Sequence, residues 1–237
     1  MNLLEQIEKE AKGLDFESLS TLKSESQEKH IAWFESRRGK FTASEFHRLM
    51  GYEDKQDFPK GADTYVLEKV LEILTIRDED TYSNANMDWG NLNEKEAVER
   101  FMEEFELEVE KYGEEQEFIQ LGNNIGCTPD GLISSIKGVE VKCPKSMTQL
   151  SRLKIKDQEQ FKKECKNYYW QIQGSMYITG RASWYFVSYD PRFKSKYHQL
   201  KVIEINRNDE DIKKLKSRLQ EAIKKRDKYL KEYDLQH

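Results

Sequence analysis

The sequence has few of the features that mark secreted, membrane or zinc-stabilised proteins. It contains only 3 cysteines and 4 prolines in 237 residues, and the cysteines form no CxxC or Cys/His pattern. An odd, scattered count of thiols fits a reducing compartment and argues against disulfides and structural zinc. Apolar stretches such as 73–76 are broken well before the roughly 18 residues that a membrane span requires. Charges at Glu5, Glu8 and Lys9 interrupt the N-terminus where a secretory signal would be apolar, so we expect a cytoplasmic protein.

Charge of one sign does not dominate either. Lys and Arg number 39 against 44 Asp and Glu, which gives a formal net charge of −5, and 35% of the residues are charged. This mild acidity argues against a surface that is basic all round, although a focused basic groove would still bind nucleic acid. The chain does have large side chains that a core can bury, with 4 Trp, 12 Tyr and 11 Phe, and this excludes disorder throughout.

Periodicity predicts one domain, because no repeat, low-complexity tract or convincing linker interrupts the chain. The segment from Leu107 to Val141 alternates Val and Ile with polar residues and is broken by glycines, which is typical of strands and hairpins. Later strands are predicted at Ser183–Tyr189 and His198–Ile205. Helices flank a central mixed sheet in this interpretation, so the class is α/β or α+β.

The predicted helices share an apolar stripe, a capping residue or both. In one of them the expected buried stripe is Val66, Val70, Leu71 and Leu74. The helices are Met1–Lys12, Gln27–Ser36, one beginning at Thr42 or Ser44, Ala62–Ile76, Asn93–Phe105, Gln158–Ile178 and Asp209–Tyr233.

The most informative segment is the run CTPDGLI from Cys127, which GVEVKCP follows. On a strand, side chains alternate, so Glu140 and Lys142 point to one face and Val141 to the other. If a hairpin turns near 134–138, Asp130 returns beside Glu140, and two carboxylates converge with one ammonium. Two close carboxylates repel each other, which raises one pKa or demands a cation such as Mg²⁺ or Mn²⁺. Phosphodiester hydrolysis needs a divalent ion to polarise the phosphoryl oxygen and a nearby cation, which Lys142 would supply.

Each part of this pattern also has a purely structural explanation. Glu-x-Lys is common in a highly charged chain, and we interpret Glu10-Ala11-Lys12 as a solvated helix face. Pro-Asp-Gly alone indicates only a turn. Joined at this spacing between hydrophobic strand residues, the two patterns favour a site, because charge buried on a sheet needs a reason.

Glu94 is a third candidate carboxylate. On a helix it shares a stripe with Ala97, Val98, Phe101 and Phe105, so we expect it to face inward. The alternative explanation is an acid near a helix N-terminus, where the macrodipole favours it. The hairpin makes a role beside the two other carboxylates the preferred interpretation.

Five motifs in order give the sequence a resemblance to the lambda exonuclease group of phage recombination nucleases, also called the YqaJ-like viral recombinase family. The resemblance spans Trp33 to Arg192, most of the chain, and no single motif would be specific. The motifs are WFESRRGKFTASE from Trp33, Trp89-Gly90 with Glu94, CTPDGLI, GVEVKCP, and YYWQIQGSMYITG followed by WYFVSYDPR.

The resemblance implies a metal-dependent exonuclease of the PD-(D/E)XK restriction-endonuclease-like fold. Such an enzyme digests one strand of linear duplex DNA from its 5′ end and leaves 3′ overhangs for phage-type recombination. The single domain predicted from the lack of a linker is then a nuclease domain over 1–237, with N-terminal helices at 1–76, a catalytic core at 89–192 and a C-terminal strand and helix at 193–237.

The resemblance assigns a metal site by motif position. Asp130 and Glu140 would bind Mg²⁺, or Mn²⁺ in its place, with help from the Val141 carbonyl. Lys142 would position the attacking water. Glu94 would complete the metal shell directly or through water.

The resemblance also assigns residues around this metal site. Gln171 would hydrogen-bond Lys142 or the water, with Gln173 as the alternative, and Arg38 and Gln173 are expected to contact DNA. Arg37 and Ser44 would hold the 5′-terminal phosphate, and Arg38 is the alternative to Arg37. Chemistry supports this pocket, because Arg offers a bidentate fork and Ser44 adds donors near a helix N-terminus. The aromatic residues at 168–170 and 184–186 are interpreted as core rather than as a platform for bases.

The implied partners are double-stranded DNA ends, two further copies of the chain in a ring-shaped homotrimer, and a single-strand annealing recombinase in a bacterial cytoplasm. Two other functions stay open, an endonuclease of the same fold and a DNA-end binding module without catalysis. A binding module gains nothing from carboxylates that repel phosphate. An iron–sulfur nuclease is disfavoured, because three cysteines cannot supply the four thiolates that a cluster normally needs.

Overall fold

The computed structural model describes residues 32–52, 58–76 and 85–234, with the backbone alone described at 85–88, 90, 91 and 234. The chain divides into two compact units at the Arg38–Gly39 bond. The described part of the first unit is helical over 32–37, at the end of the helix predicted for Gln27–Ser36. The predicted helix Met1–Lys12 lies outside the described residues. The expected single domain stays a prediction.

The second unit contains both strands and helices. Its strands are β1 (Phe41–Thr42), β2 (Ile119–Leu121), β3 (Ile125–Cys127), β4 (Gly131–Ile133), β5 (Lys137–Lys142), β6 (Ser183–Tyr189) and β7 (Leu200–Asn206). Its helices are α1 (Lys60–Leu74), α2 (Ala85–Phe105), α3 (Ser146–Arg152), α4 (Gln158–Glu164), α5 (Lys166–Thr179), α6 (Lys196–Gln199) and α7 (Asp209–Asp234), with 3-10 helices at Ala43–Leu49 and Gly113–Glu115.

The described strands form two mixed sheets. The smaller has the order β1-β3-β2, with β1 parallel and β2 antiparallel to β3. The larger has the order β4-β5-β6-β7, in which only the central pair β5–β6 is parallel. Parallel neighbours need a long crossover, which α3, α4 and α5 provide between β5 and β6. The predicted mixed α/β fold is therefore confirmed.

The larger sheet separates two hydrophobic clusters, because side chains alternate along its strands. On β6, Trp184 and Phe186 are buried with residues of α5 and α7, whereas Val187 is buried with residues of α2. On β5, Val139 and Val141 belong to the cluster under α2. Glu140 lies between these two valines and Lys142 follows them, so both lie on the face that α5 covers.

The crossover differs from the prediction in two places. The helix predicted at Gln158–Ile178 is broken at Cys165, whose φ of −123° and ψ of 42° leave the helical region between α4 and α5. Helix α3 was not predicted, because its buried side chains are the polar Gln149 and Arg152 while Met147 and Leu150 are exposed. A helix whose apolar residues face solvent gives no core-facing stripe in its sequence.

Helix α1 lies near its predicted bounds, but its buried face is rotated. Val66 and Val70 are buried as expected, whereas Leu71 and Leu74 are 57% and 48% exposed. The buried face includes Tyr65, whose hydroxyl accepts a hydrogen bond from the Thr42 N–H at 3.1 Å. The expected stripe was therefore wrong in its C-terminal half.

Helix α2 ends at the predicted Phe105 but begins at Ala85, eight residues before the predicted start at Asn93. Other elements lie closer to their predicted bounds. Strand β6 has the predicted bounds, and α7 ends one residue beyond its predicted end. The helix expected to begin at Thr42 or Ser44 is the 3-10 helix Ala43–Leu49, with Thr42 as its N-cap. His198 lies in α6 rather than in β7. Over the residues that the structure describes, no helix has the length and apolar character needed to cross a membrane.

Gly138 on β5 is a position where we predict a loss of stability on substitution. A Cβ there would lie 2.4–2.5 Å from ring atoms of Trp184, which is fully buried. We expect Gly138→Ala to lower the free energy of unfolding by about 1–3 kcal/mol, because an overpacked core must shift. Gly61 on α1 is the matched control, since a Cβ there meets nothing within 4 Å and helix propensity favours alanine. Chemical denaturation checks both variants, and equal stabilities would contradict the close contact.

Candidate active site

The predicted hairpin is present and brings Asp130 back beside Glu140. Strands β4 and β5 pair antiparallel, with Gly131 opposite Val139. The Asp130 N–H donates to the Val139 carbonyl at 3.2 Å, which extends the ladder by one residue. The turn between the strands covers 134–136, slightly shorter than expected.

The turn is held from outside the hairpin. Ser134 has a φ of 51°, a left-handed conformation that costs energy for a residue with a Cβ. The Arg181 guanidinium donates to the Ser134 carbonyl at 3.0 Å and to the Lys137 carbonyl at 2.9 Å. These bonds fix the far end of the hairpin, so its open end is held in register beside α5.

The Lys142 ammonium lies between the two hairpin carboxylates. Its Nζ is 2.5 Å from Glu140 Oε1 and 3.7 Å from Asp130 Oδ2. It also donates to the Val141 carbonyl at 2.8 Å, and the Val141 N–H donates to Asp130 Oδ2 at 2.7 Å. One ammonium therefore contacts or approaches the three oxygen-bearing groups that were expected to bind a metal ion.

Burial shapes the protonation of this group of charges. Burial and the Asp130 charge raise the pKa of Glu140 to about 8, and burial also raises the pKa of Asp130. Burial works against the charged form of Lys142, but Glu140 and Asp130 outweigh it and leave the pKa of Lys142 above its ordinary value. The lysine is therefore the resident positive charge of the site at neutral pH.

Glu94 does not join the hairpin carboxylates in a preformed cluster. Among the residues that the structure describes, no three His, Cys, Asp or Glu side chains are grouped closely enough to hold a metal ion. Glu94 Oε1 instead accepts a hydrogen bond from Gln116 Nε2 at 2.5 Å. Burial and the Asp130 charge raise the pKa of Glu94 to about 7. Glu94 is therefore an electrostatic neighbour of the hairpin carboxylates, and its part in a metal shell stays a prediction.

One oxygen of the site is open to a further ligand. Glu140 is 1% exposed, and its Oε2 has no hydrogen-bond partner among the described residues. A buried carboxylate oxygen without a partner costs free energy unless something binds it. Two carboxylates and a main-chain carbonyl are hard oxygen donors, which Mg²⁺ and Mn²⁺ prefer as ligands. The residues present therefore fit a divalent ion.

The two glutamines of α5 have different surroundings. Gln171 Nε2 donates to Glu140 Oε1 at 2.6 Å, so it reaches the site but bonds to the carboxylate rather than to Lys142. Gln173 is fully buried; its amide donates to the Asn206 carbonyl and accepts from the Asn208 N–H, both at 2.9 Å. The DNA-contact alternative for Gln173 was therefore wrong, because both halves of its amide bond to the interior main chain.

The residues expected to bind a terminal phosphate fall on both sides of the division between the two units. In the first unit, the Arg37 Cζ lies 4.0 Å above the Trp33 ring, and Arg38 Nη1 is 3.0 Å from Glu35 Oε1. In the second unit, the half-buried Ser44 has its Oγ 3.3 Å from Thr42 Oγ1. Their roles stay predictions.

Sequence reasoning missed two partners of the site. Gln116 follows the 3-10 helix Gly113–Glu115 in a loop, and nothing in its sequence context indicates the bond to Glu94. The Tyr168 ring centroid lies 5.7 Å from Lys142 Nζ. Tyr168 precedes Gln171 by three residues on one predicted helix, and residues at this spacing share a helix face. The spacing therefore indicated that Tyr168 faces the site together with Gln171.

Comparisons with known proteins agree on one family. A model of the YqaJ-like viral recombinase domain matches residues 32–182. A crystal structure of an alkaline exonuclease (LHK-Exo) from Laribacter hongkongensis is similar, with a TM-score of 0.74, 26% identity, and coverage of 87% of this chain and 97% of that one. The structure of LHK-Exo in complex with dAMP gives a TM-score of 0.74 at 27% identity, with the same coverage of both chains.

Two further matches are more limited. A phage related exonuclease from Haemophilus somnus 129PT shares the fold, with a TM-score of 0.67 at 17% identity over 82% of this chain and 96% of that one. An uncharacterized protein of Escherichia coli (strain K12), ExoD, is 37% identical over 62 residues, which make up 26% of this chain and 69% of that protein.

Proposed function

The chain belongs to the YqaJ-like viral recombinase family, and on that premise we propose that it is a Mg²⁺-dependent 5′-to-3′ exonuclease. It would degrade one strand of linear double-stranded DNA and leave 3′ single-stranded overhangs for homologous recombination of the phage type. The similarity to LHK-Exo, an alkaline exonuclease, supports the nuclease part of the proposal. The polarity and the metal are inferred from the motifs.

The observation that carries the proposal is that Asp130, Glu140 and the Val141 carbonyl converge on one cation, the Lys142 ammonium. A DNA-binding module has no use for buried carboxylates, since they repel phosphate. A buried and a half-buried carboxylate whose pKa values are raised, set beside a lysine on one hairpin, are typical of a catalytic site. The geometry therefore favours hydrolysis over simple binding.

Asp130, Glu140 and the Val141 carbonyl would hold the Mg²⁺ ion, with Glu94 completing the set directly or through water. When bound, the ion polarises the phosphoryl oxygen and lowers the pKa of the attacking water. Glu140 Oε2 has no hydrogen-bond partner among the residues that the structure describes, so it would be available to the ion without the loss of a bond to one of them. Mn²⁺ should substitute, because it accepts the same oxygen donors.

The chain's own residues orient the reaction. Lys142 would hold the attacking water and offset the negative charge that develops on the phosphoryl group. Gln171 fixes the Glu140 carboxylate from α5, since its amide already donates to Oε1. Both side chains lie on the side of the sheet that α5 covers, where they would flank the attacking water.

The end preference and the assembly belong to the same proposal. Arg37 and Ser44 would bind the 5′-terminal phosphate, which sets the direction of digestion. A homotrimeric ring around the duplex would let a chain with a net charge of −5 stay on DNA. The overhang would pass to a single-strand annealing recombinase.

The main test compares two DNA substrates in two buffers. The full chain is mixed with linear duplex or with closed circular duplex, in Mg²⁺ or in EDTA. We expect nucleotide release from the linear duplex in Mg²⁺ alone, and strand-specific 5′ labels should be lost first. Degradation of the circle would indicate an endonuclease, and no nucleotide in any buffer would indicate a binding module.

Arg37→Ala should weaken the preference for 5′-phosphorylated over 5′-hydroxyl ends by roughly 10- to 100-fold. The reason is that a hydrogen bond from a charged group to phosphate contributes about 1.5–3 kcal/mol. The measurement is kcat/KM on two duplexes that differ only in the terminal phosphate. Arg38→Ala is the matched control, because it removes the same charge from the neighbouring position. A larger loss in Arg38→Ala would assign the pocket to Arg38, and a native enzyme that ignores the phosphate would remove the pocket.

A further inference from the structure

Helix α5 lies against strand β5 through two pairs of side chains. Gln171 donates to Glu140 Oε1 at 2.6 Å, and the Tyr168 ring centroid lies 5.7 Å from Lys142 Nζ. Residues three apart on a helix share a face, as residues two apart on a strand do. Tyr168 therefore stands to Lys142 as Gln171 stands to Glu140.

The Tyr168 ring is held in place from behind. Its centroid is 5.5 Å from that of Phe186, which is fully buried. The Arg152 Cζ lies 5.1 Å from the Tyr168 ring, and Arg152 is 5% exposed. Arg152 is itself fixed, because its Nη1 donates to Ser188 Oγ at 2.9 Å. A ring with such neighbours presents a fixed surface to the lysine.

The Lys142 ammonium contacts or approaches the same oxygen atoms that the proposed divalent ion would use. The ammonium contacts Glu140 Oε1 and the Val141 carbonyl and lies 3.7 Å from Asp130 Oδ2. A divalent ion held by these groups would meet the ammonium at close range, and two cations so close repel each other strongly. The flexible side chain of lysine allows the ammonium to move away from the ion. To keep its role beside the attacking water, the displaced ammonium needs a second binding position near the carboxylates.

We propose that Tyr168 is a positioning residue that receives the Lys142 ammonium when a divalent ion takes the carboxylates. This inference rests on the proposed function and concerns the control of that same site. The face of a tyrosine ring attracts an ammonium within about 6 Å of its centroid. The lysine would then stay beside the attacking water instead of moving into solvent, and it would no longer compete with the ion.

The test measures Mn²⁺ affinity by titration calorimetry on the full chain, without DNA. Tyr168→Leu should weaken Mn²⁺ binding by roughly 5- to 30-fold, because the displaced ammonium loses its second place. Tyr168→Phe keeps the ring face and should stay within about twofold of the native affinity. Tyr177→Leu is the matched control, since Tyr177 is also half-buried on α5 with a lysine, Lys216, 5.5 Å from its ring centroid. It should leave Mn²⁺ affinity unchanged.

A double-mutant cycle separates positioning from a general structural role. In the Lys142→Met background, Tyr168→Leu should change Mn²⁺ affinity by less than about twofold, because Tyr168 acts only through the lysine. In the otherwise native chain, Tyr168→Leu should also lower kcat on linear duplex while the KM for DNA stays constant.

Two outcomes would overturn the inference while leaving the proposed function intact. In one, the native chain binds Mn²⁺ and cleaves DNA, but Tyr168→Leu behaves like Tyr177→Leu. In the other, Tyr168→Leu weakens Mn²⁺ binding equally in both backgrounds. A native chain that binds no Mn²⁺ and cleaves no DNA would overturn the proposed function, and the inference with it.

Discussion

Replacing Lys142 by alanine should slow DNA cleavage by about a thousandfold while DNA binding stays within a few-fold of the native value. The loss follows from the removal of the group that orients water and offsets transition-state charge, for which losses of about 10²–10⁴ are typical. Binding should survive, because the ammonium lies among carboxylates rather than on an open basic surface. Single-turnover cleavage of a 5′-phosphorylated duplex in Mg²⁺ measures the rate, and fluorescence anisotropy in EDTA measures binding.

The control for this variant is Lys228→Ala. Lys228 lies on α7, and its side chain is 73% exposed, so the substitution removes an equal charge far from the hairpin in sequence. It should cleave at the native rate. A thermal melt followed by circular dichroism checks that Lys142→Ala is folded, because the substitution leaves Glu140 buried without its closest cation. Cleavage by Lys142→Ala near the native rate would remove the lysine from the mechanism.

Glu140→Gln should weaken Mn²⁺ binding by at least about a hundredfold and slow cleavage by about a thousandfold or more. The amide keeps the shape of the side chain and the possibility of a hydrogen bond with Gln171, but it lacks the negative charge that a hard cation requires. Titration calorimetry gives the affinity, and the same single-turnover assay gives the rate. Raising Mn²⁺ far above its native Kd should restore only part of the rate, because the charge of the site is still altered.

Glu204→Gln is the matched control for Glu140→Gln. Glu204 on β7 also pairs with a lysine of the sheet, since its Oε1 lies 2.8 Å from Lys137 Nζ. That pair is partly exposed, and its loss should cost no more than about 1 kcal/mol of stability and none of the metal affinity. If both variants bound Mn²⁺ like the native chain, Glu140 would not be a metal ligand.

The local parts of the site were predictable from the sequence. Asp130, Glu140 and Lys142 lie on one hairpin, and strand alternation together with the Pro-Asp-Gly turn fixes which side chains share a face. Gln171 was predicted to face the site, but its bond to Glu140 instead of Lys142 depends on the height of α5 above the sheet. No pattern along the chain reports that height.

The non-local and polar parts were not predictable. Gln116 is separated from Glu94 by a helix end and a 3-10 helix, and only the folded chain brings them together. Helix α3 buries Gln149, whose amide donates to the Ser188 carbonyl, while its apolar residues Met147 and Leu150 are exposed. Pattern methods assume that apolar residues face inward, so they fail where a polar side chain has interior partners.

The hairpin described above also bears on the order in which the molecule can assemble. The acid pair, its lysine and the turn belong to one uninterrupted stretch from Asp130 to Lys142, so their contacts close only short loops. Contacts of low sequence separation form fast, whereas the parallel pairing of β5 with β6 must wait for the crossover. We therefore expect the charged half of the site to form early during folding, and α5 to complete it late.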